Sequence, residues 1–172
     1  MYVLIYVDDI LVKGNSTSQV QELLSSLAVE FSIKDLEPLH FFLGVKATAH
    51  RNGLLLTQSR YINDLLQRAG MSDYKPVLTP IGTSSKPSQS GGAAFANPSH
   101  YRLIVGALQY ITLTRPNVTF VVNKACQTMH APTDDDWSLV KRILQYLKGT
   151  SKSGLYFERS SSLTLQAFSN AD

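Results

Sequence analysis

The sequence predicts an α+β chain, with strand-rich runs in its first third, amphipathic helices in its second half and two strand-like runs at its end. Two observations carry this. Tyr2–Val7 and Ile10–Lys13 are short β-branched and aromatic runs broken only by Asp8-Asp9. From residue 98 onward, apolar residues instead recur at three and four positions, the period of a helix face.

The first two runs read as a tight hairpin with its acids at the tip. Val20, Leu23, Leu24, Leu27, Ala28 and Phe31 then form an amphipathic stripe, with Ser18 and Gln21 in capping-box spacing at its start. Leu39–Lys46 and Leu54–Gln58 read as two strands joined by a turn containing Asn52-Gly53. A short helix from Arg60 to Ala69 is stopped by Gly70. Residues 75–97 break the pattern: Pro76, Pro80, Pro87 and Gly91-Gly92 mark a linker or long surface loop. Asn97-Pro98 has the form of an N-cap with proline at the first helical position, opening a helix to about Leu113. Val118, Val121, Val122, Ala125 and Met129 mark the next helix. Another spans about Trp137–Lys148, with Asp134 to Asp136 near its positive dipole end. Gly154–Glu158 and Leu163–Phe168 read as strands.

Bulk properties narrow the function classes. A composition of 44% hydrophobic and 17% charged residues is that of a folded domain rather than a disordered one. The net charge of +3 is compatible with a polyanionic partner but too small to identify one. With Cys126 as its one cysteine the chain has no internal disulfide, so a disulfide-stapled secreted domain is excluded. No apolar run reaches membrane-spanning length, and Met1–Val7 runs directly into Asp8 and Asp9, which reads as a buried strand rather than a signal peptide.

Tyr6-Val7-Asp8-Asp9 carries the chemistry. Two adjacent carboxylates repel each other, and a divalent cation is the partner that best holds both ionised. Phosphoryl transfer uses such pairs, because Mg²⁺ takes a few carboxylates, keeps waters and reaches substrate phosphates. The plainer reading is a solvated turn, since Asp is a common turn residue. The four histidines, His40, His50, His100 and His130, lack ligand spacing, and Cys126 on a helix edge reads as packing.

Tyr-Val-Asp-Asp-Ile-Leu resembles the active-site hairpin of copia-type retrotransposon reverse transcriptases. The resemblance continues in order through Ile33-Lys34-Asp35-Leu36, Phe41-Phe42-Leu43-Gly44-Val45 and Gly53 to Gln58. It extends through Thr79-Pro80, Tyr101-Arg102 with Val105-Gly106, Thr114-Arg115-Pro116, Lys141-Arg142-Ile143-Leu144 and Tyr146-Leu147-Lys148-Gly149-Thr150. Gly-Ala-Leu-Gln-Tyr at 106–110 is similar to reverse-transcriptase-like reading frames of plant mitochondrial genomes. The resemblance implies a C-terminal part of the palm at 1–74, a linker at 75–97, a helical thumb- or connection-like region at 98–150 and a truncated start of ribonuclease H at 151–172. It implies that Asp8 and Asp9 are catalytic and hold Mg²⁺ or Mn²⁺, and that the partner is an RNA/DNA primer–template. Phe42, Leu43 and Gly44 match the segment that grips the primer, although their spacing equally fits a buried strand with a glycine bend. Lys141, Arg142 and Lys148 either meet phosphates as a thumb surface or are simply solvated.

The same resemblance sets limits. The family's metal site needs a further aspartate upstream of the hairpin, together with the upstream palm and fingers. The 172 residues alone are therefore expected not to polymerise DNA. Ser169-Asn170-Ala171-Asp172 resembles the first ribonuclease H strand with Asn170 where an aspartate usually stands, so no ribonuclease H activity is expected. The alternatives are a non-catalytic nucleic-acid-binding remnant and a piece of a longer active polyprotein. For folding, residues 1–74 are expected to be labile and residues 98–150 to hold together.

Overall fold

Apolar patterning is spent very differently in the two halves of the computed structural model, which describes residues 1–7, 9–35, 39–82, 92–160 and 167. Strands β1 (Tyr2–Tyr6) and β2 (Asp9–Lys13) pair antiparallel, with Leu4 opposite Leu11 and Tyr6 opposite Asp9. Side chains alternate across the ribbon, so Tyr2, Leu4 and Tyr6 share a face with Leu11 and Asp9, while Val3 and Ile5 share the other with Val12 and Ile10. Every residue of β1 is exposed, on both faces. Helix α1 (Thr17–Glu30) follows, capped by Ser16, whose hydroxyl accepts from the Gln19 amide at 3.4 Å. Ser18, expected to open this helix, lies inside its first turn, because Ser16 has the extended backbone that a cap requires. The apolar stripe of α1 is half-buried at most, and Phe31 is 62% exposed.

A four-stranded antiparallel sheet has the order β3-β4-β5-β6, built from Phe41–Phe42, Val45–His50, Gly53–Thr57 and Leu155–Glu158. The single strand expected over 39–46 is instead two strands folded back on each other, because Leu43 (φ 49°) and Gly44 (φ 75°) both adopt the left-handed conformation of a two-residue hairpin turn. Gly53 permits the last pairing: a Cβ there would lie 2.2 Å from the Phe157 carbonyl oxygen. The strand expected over Leu163–Phe168 lies outside the described residues, Ala167 apart.

Between β5 and β6 the chain builds its core from helices α2 (Ser59–Arg68), α3 (Pro98–Ile111), α4 (Thr119–Cys126) and α5 (Asp134–Gly149). Ile62, Leu65 and Leu66 of α2 are buried with Tyr101, Ile104, Val105, Leu108 and Ile111 of α3 and with Val140, Ile143, Leu144 and Leu147 of α5. Burial of each such side chain contributes about 1.5–3 kcal/mol, which makes this cluster the main source of stability. It crosses the boundary expected at 75–97, since α2 precedes that segment and α3 to α5 follow it. The flanks of the segment are fastened to α5. Lys148 Nζ donates to the carbonyls of Ser72 and, at 2.8 Å, Tyr74, and Arg142 Nη2 donates to Thr79 Oγ1 at 2.9 Å. On the far side Ala94 bridges to Thr133, and the Phe95 amide donates to the Pro132 carbonyl at 2.9 Å.

Two helix boundaries differ from the periodicity. Pro116–Val118 forms a single 3-10 turn, so α4 starts only at Thr119, and it stops at Cys126 before Met129. Helix α5 starts three residues before Trp137, because Thr133 and Asp136 close a capping box with the Thr133 amide and hydroxyl both bound to Asp136 Oδ2. The α+β class expected from the sequence is what the chain adopts, with five α-helices and two antiparallel sheets among the described residues.

Candidate active site

The acidic hairpin is built by strand alternation and a two-residue turn. Asp9 begins β2, opposite Tyr6, and is exposed. Asp8 lies outside the described residues. Val7 reaches the turn with φ 49°, a left-handed conformation that a β-branched residue rarely adopts. Its strain is of the order of 1 kcal/mol or more and stands immediately beside the acids. Carboxylate oxygens suit a hard divalent ion. Among the described residues, however, no three His, Cys, Asp or Glu side chains come together, and Asp9 alone does not make a complete ligand set.

In the second sequence-predicted feature, Phe42 ends β3 and Leu43-Gly44 form the turn that follows, and a helix holds that turn. Tyr110, near the end of α3, donates its hydroxyl to the Leu43 carbonyl. Gly44 sits between two rings, with the position of an added Cβ 3.8 Å from Tyr110 and 3.8 Å from Tyr61. Those rings meet edge to face with centroids 5.2 Å apart, and Tyr61 Oη donates to the Ala107 carbonyl at 3.4 Å. Burial pushes the Tyr110 phenol above its ordinary pKa, and the neighbouring phenols of Tyr61 and Tyr6 push it further. Tyr6 is the residue opposite Asp9 in the acidic hairpin. Beside the turn an apolar cleft of about 280 Å³ opens between the sheet and α3, lined in part by Leu39, Phe42, Leu43, Ala47, Leu56 and Leu113.

The basic residues are arranged differently. Lys141, Arg142 and Lys148 are all half-buried, and Arg142 and Lys148 are the two that bind the 72–82 segment. Sequence reasoning missed a buried polar network nearby. Arg115, 3% exposed, donates to the Thr150 carbonyl and to Thr150 Oγ1, each at 2.8 Å, and to Asn117 Oδ1 at 3.3 Å. Thr114 Oγ1 donates to Gln58 Oε1 at 2.7 Å, which ties the end of α3 to the β5–α2 junction. The signal was present as a charged residue wedged between an apolar helix and a proline, in Thr114-Arg115-Pro116. His40, His50 and His130 are exposed, whereas His100 packs edge-on against Trp137 with ring centroids 5.2 Å apart. Burial raises the Cys126 thiol above its ordinary pKa, which suits packing rather than reactivity. Asn170 lies outside the described residues.

The sequence aligns with a defined group of proteins. The family described as reverse transcriptase (RNA-dependent DNA polymerase) matches residues 1–83. An uncharacterized mitochondrial protein of Arabidopsis thaliana is 48% identical over 172 residues, covering all of this chain and 71% of that protein. The retrovirus-related Pol polyprotein from transposon RE2 of the same plant is 46% identical across the whole chain, and that from transposon TNT 1-94 of Nicotiana tabacum is 33% identical over 98% of it. The chain spans 12% and 13% of those two polyproteins. No solved structure matches it. No helix among the described residues is long and apolar enough to cross a membrane. With its Tyr-Val-Asp-Asp motif and full-length alignment to these relatives, the chain belongs to the reverse transcriptase family and corresponds to a segment of copia-type Pol polyproteins.

Proposed function

We propose that this segment serves RNA-directed DNA synthesis within a longer polypeptide, with Asp8 and Asp9 carrying the charge that binds divalent ions and the Phe42–Gly44 segment seating the primer end. One observation supports the dependence on further polypeptide: an apolar ribbon bearing the acids is exposed on both faces, with Tyr2 81%, Ile5 67% and Tyr6 56% accessible. Interior strands of a sheet do not stand in water this way, so more chain has to cover them before the acids are held rigidly. Mg²⁺ or Mn²⁺, when bound, would steady the attacking and leaving oxygens of phosphoryl transfer. This chain's own contribution is to place the carboxylates and the turn at fixed positions. The remnant that binds nucleic acid through Lys141, Arg142 and Lys148 has less support, because two of those cations are already bound to the 72–82 segment.

Primer extension on an RNA template with Mg²⁺ or Mn²⁺ tests the proposal. The 172-residue chain is expected to extend no more primer than its Asp8→Asn/Asp9→Asn variant. The same chain joined to the flanking sequence of a related Pol polyprotein is expected to extend the primer, and to lose that activity with the double substitution. Extension by the joined protein that ignores the double substitution would remove the acids from their role.

A further inference from the structure

We propose that Tyr110 is the positioning residue that holds the Leu43–Gly44 turn, so that the end of helix α3 governs where a primer end is seated. The inference rests on the functional reading above and adds to it a residue outside the palm portion of the sequence. Three observations support it. Leu43 is held at φ 49°, a conformation that a residue with a branched side chain leaves unless something retains it, and the Tyr110 hydroxyl is bound to its carbonyl. Within its own hairpin the turn is held by the Phe42–Val45 pairing and by the Ala47 amide bound to the His40 carbonyl at 3.0 Å, and the Tyr110 hydroxyl adds a bond from the helical core. Tyr110 also packs against the turn itself, its ring lying 3.8 Å from the position of an added Cβ on Gly44.

A hydroxyl at this place acts by geometry. Without it, Leu43 is free to relax and carry the turn away from α3, and displacements of about 1 Å in a reacting pair can lower rates about 100-fold. Tyr110 touches neither primer nor nucleotide in this scheme. It acts through Leu43, so its loss should lower kcat while leaving the KM for nucleotide nearly unchanged.

Tyr110→Phe keeps the ring against Gly44 and removes only the hydroxyl. Tyr101→Phe is the comparison, because it removes a buried hydroxyl of the same kind, bound to the Ala125 carbonyl at 2.9 Å and paired with Thr128 Oγ1 at 3.0 Å, far from the turn. In the 172-residue chain, Tyr110→Phe is expected to speed amide exchange at Val45 and Ala47 at least about tenfold relative to the core helices, whereas Tyr101→Phe speeds exchange in the helices instead. In the joined polymerase, Tyr110→Phe is expected to lower kcat about tenfold or more with nucleotide KM within about twofold. Unchanged exchange at Val45 and Ala47 overturns the proposal, whatever the polymerase does. So does faster exchange with unchanged kcat, since the turn would then move without consequence. If the unsubstituted joined protein makes no DNA, the functional reading fails, and the exchange result still decides whether Tyr110 holds the turn.

Discussion

Arg115 shows how much a single residue can contribute in this chain. Its guanidinium is almost fully buried, yet its acceptors are the Thr150 carbonyl, the Thr150 hydroxyl and the Asn117 amide oxygen. The face of Tyr146 lies 5.6 Å from the same group. The fork fits two acceptors on one residue, which a point-like ammonium does not match. Arg115→Ala is therefore expected to lower unfolding free energy by about 2–4 kcal/mol, from unpaired acceptors and lost packing of the stem. Arg115→Lys should recover only part of that. Urea denaturation of the two variants is the measurement, and equal stability of both to the parent would show that the network contributes nothing net. Val7 is the opposite case: a local strain, in an exposed turn, that nothing in the core compensates.

At the scale of elements, two similar caps have unlike consequences. Ser16 caps α1 and Thr133 caps α5, and removal of either hydroxyl costs about 1 kcal/mol of local helix stability. Helix α5 places four residues in the core, and α1 places none there. Thr133→Ala is thus expected to lower the global unfolding midpoint, while Ser16→Ala leaves it unchanged and reduces only the helicity of α1. Circular dichroism during denaturant unfolding, with amide exchange to locate the loss, separates the two. A global shift caused by Ser16→Ala would mean that α1 unfolds with the core. The same logic explains why β6 matters: it brings the chain after α5 back to β5, so that the sheet and the helical core are tied at both ends.

The whole molecule divides by burial and not by sequence halves. Residues of α2 are expected to exchange as slowly as those of α3 and α5, although all of 1–74 is labile in a sequence-only reading. β1, β2 and α1 should exchange quickly. Fast exchange throughout α2 would contradict the shared core. At this scale the basic residues of α5 also change meaning. Replacing Arg142 and Lys148 together by Ala is expected to open the 72–82 segment to limited proteolysis, because each anchors it to the helix. Lys141→Ala makes the contrast, and equal cleavage of both variants would remove the anchoring role.

Much of this was legible in the sequence because it depends on neighbours a few positions apart. Two-residue alternation gives the hairpin, the three-and-four spacing gives the helices, and Asn97-Pro98 marks the start of α3. The order of the motifs was enough to indicate the reverse transcriptase family, since that is a property of the linear string. Tertiary structure alone decided the rest. Phe42, Leu43 and Gly44 read equally as a primer-gripping segment or a buried strand with a glycine bend, and only the folded chain shows a hairpin turn bound by Tyr110, 67 positions from Leu43. Arg142 and Lys148 read as either a phosphate-binding or a solvated face until the 72–82 segment is seen to take their hydrogen bonds. Local patterning encodes which side of an element is apolar. It does not encode which distant carbonyl or ring will meet that side, because that follows from chain closure around a common core.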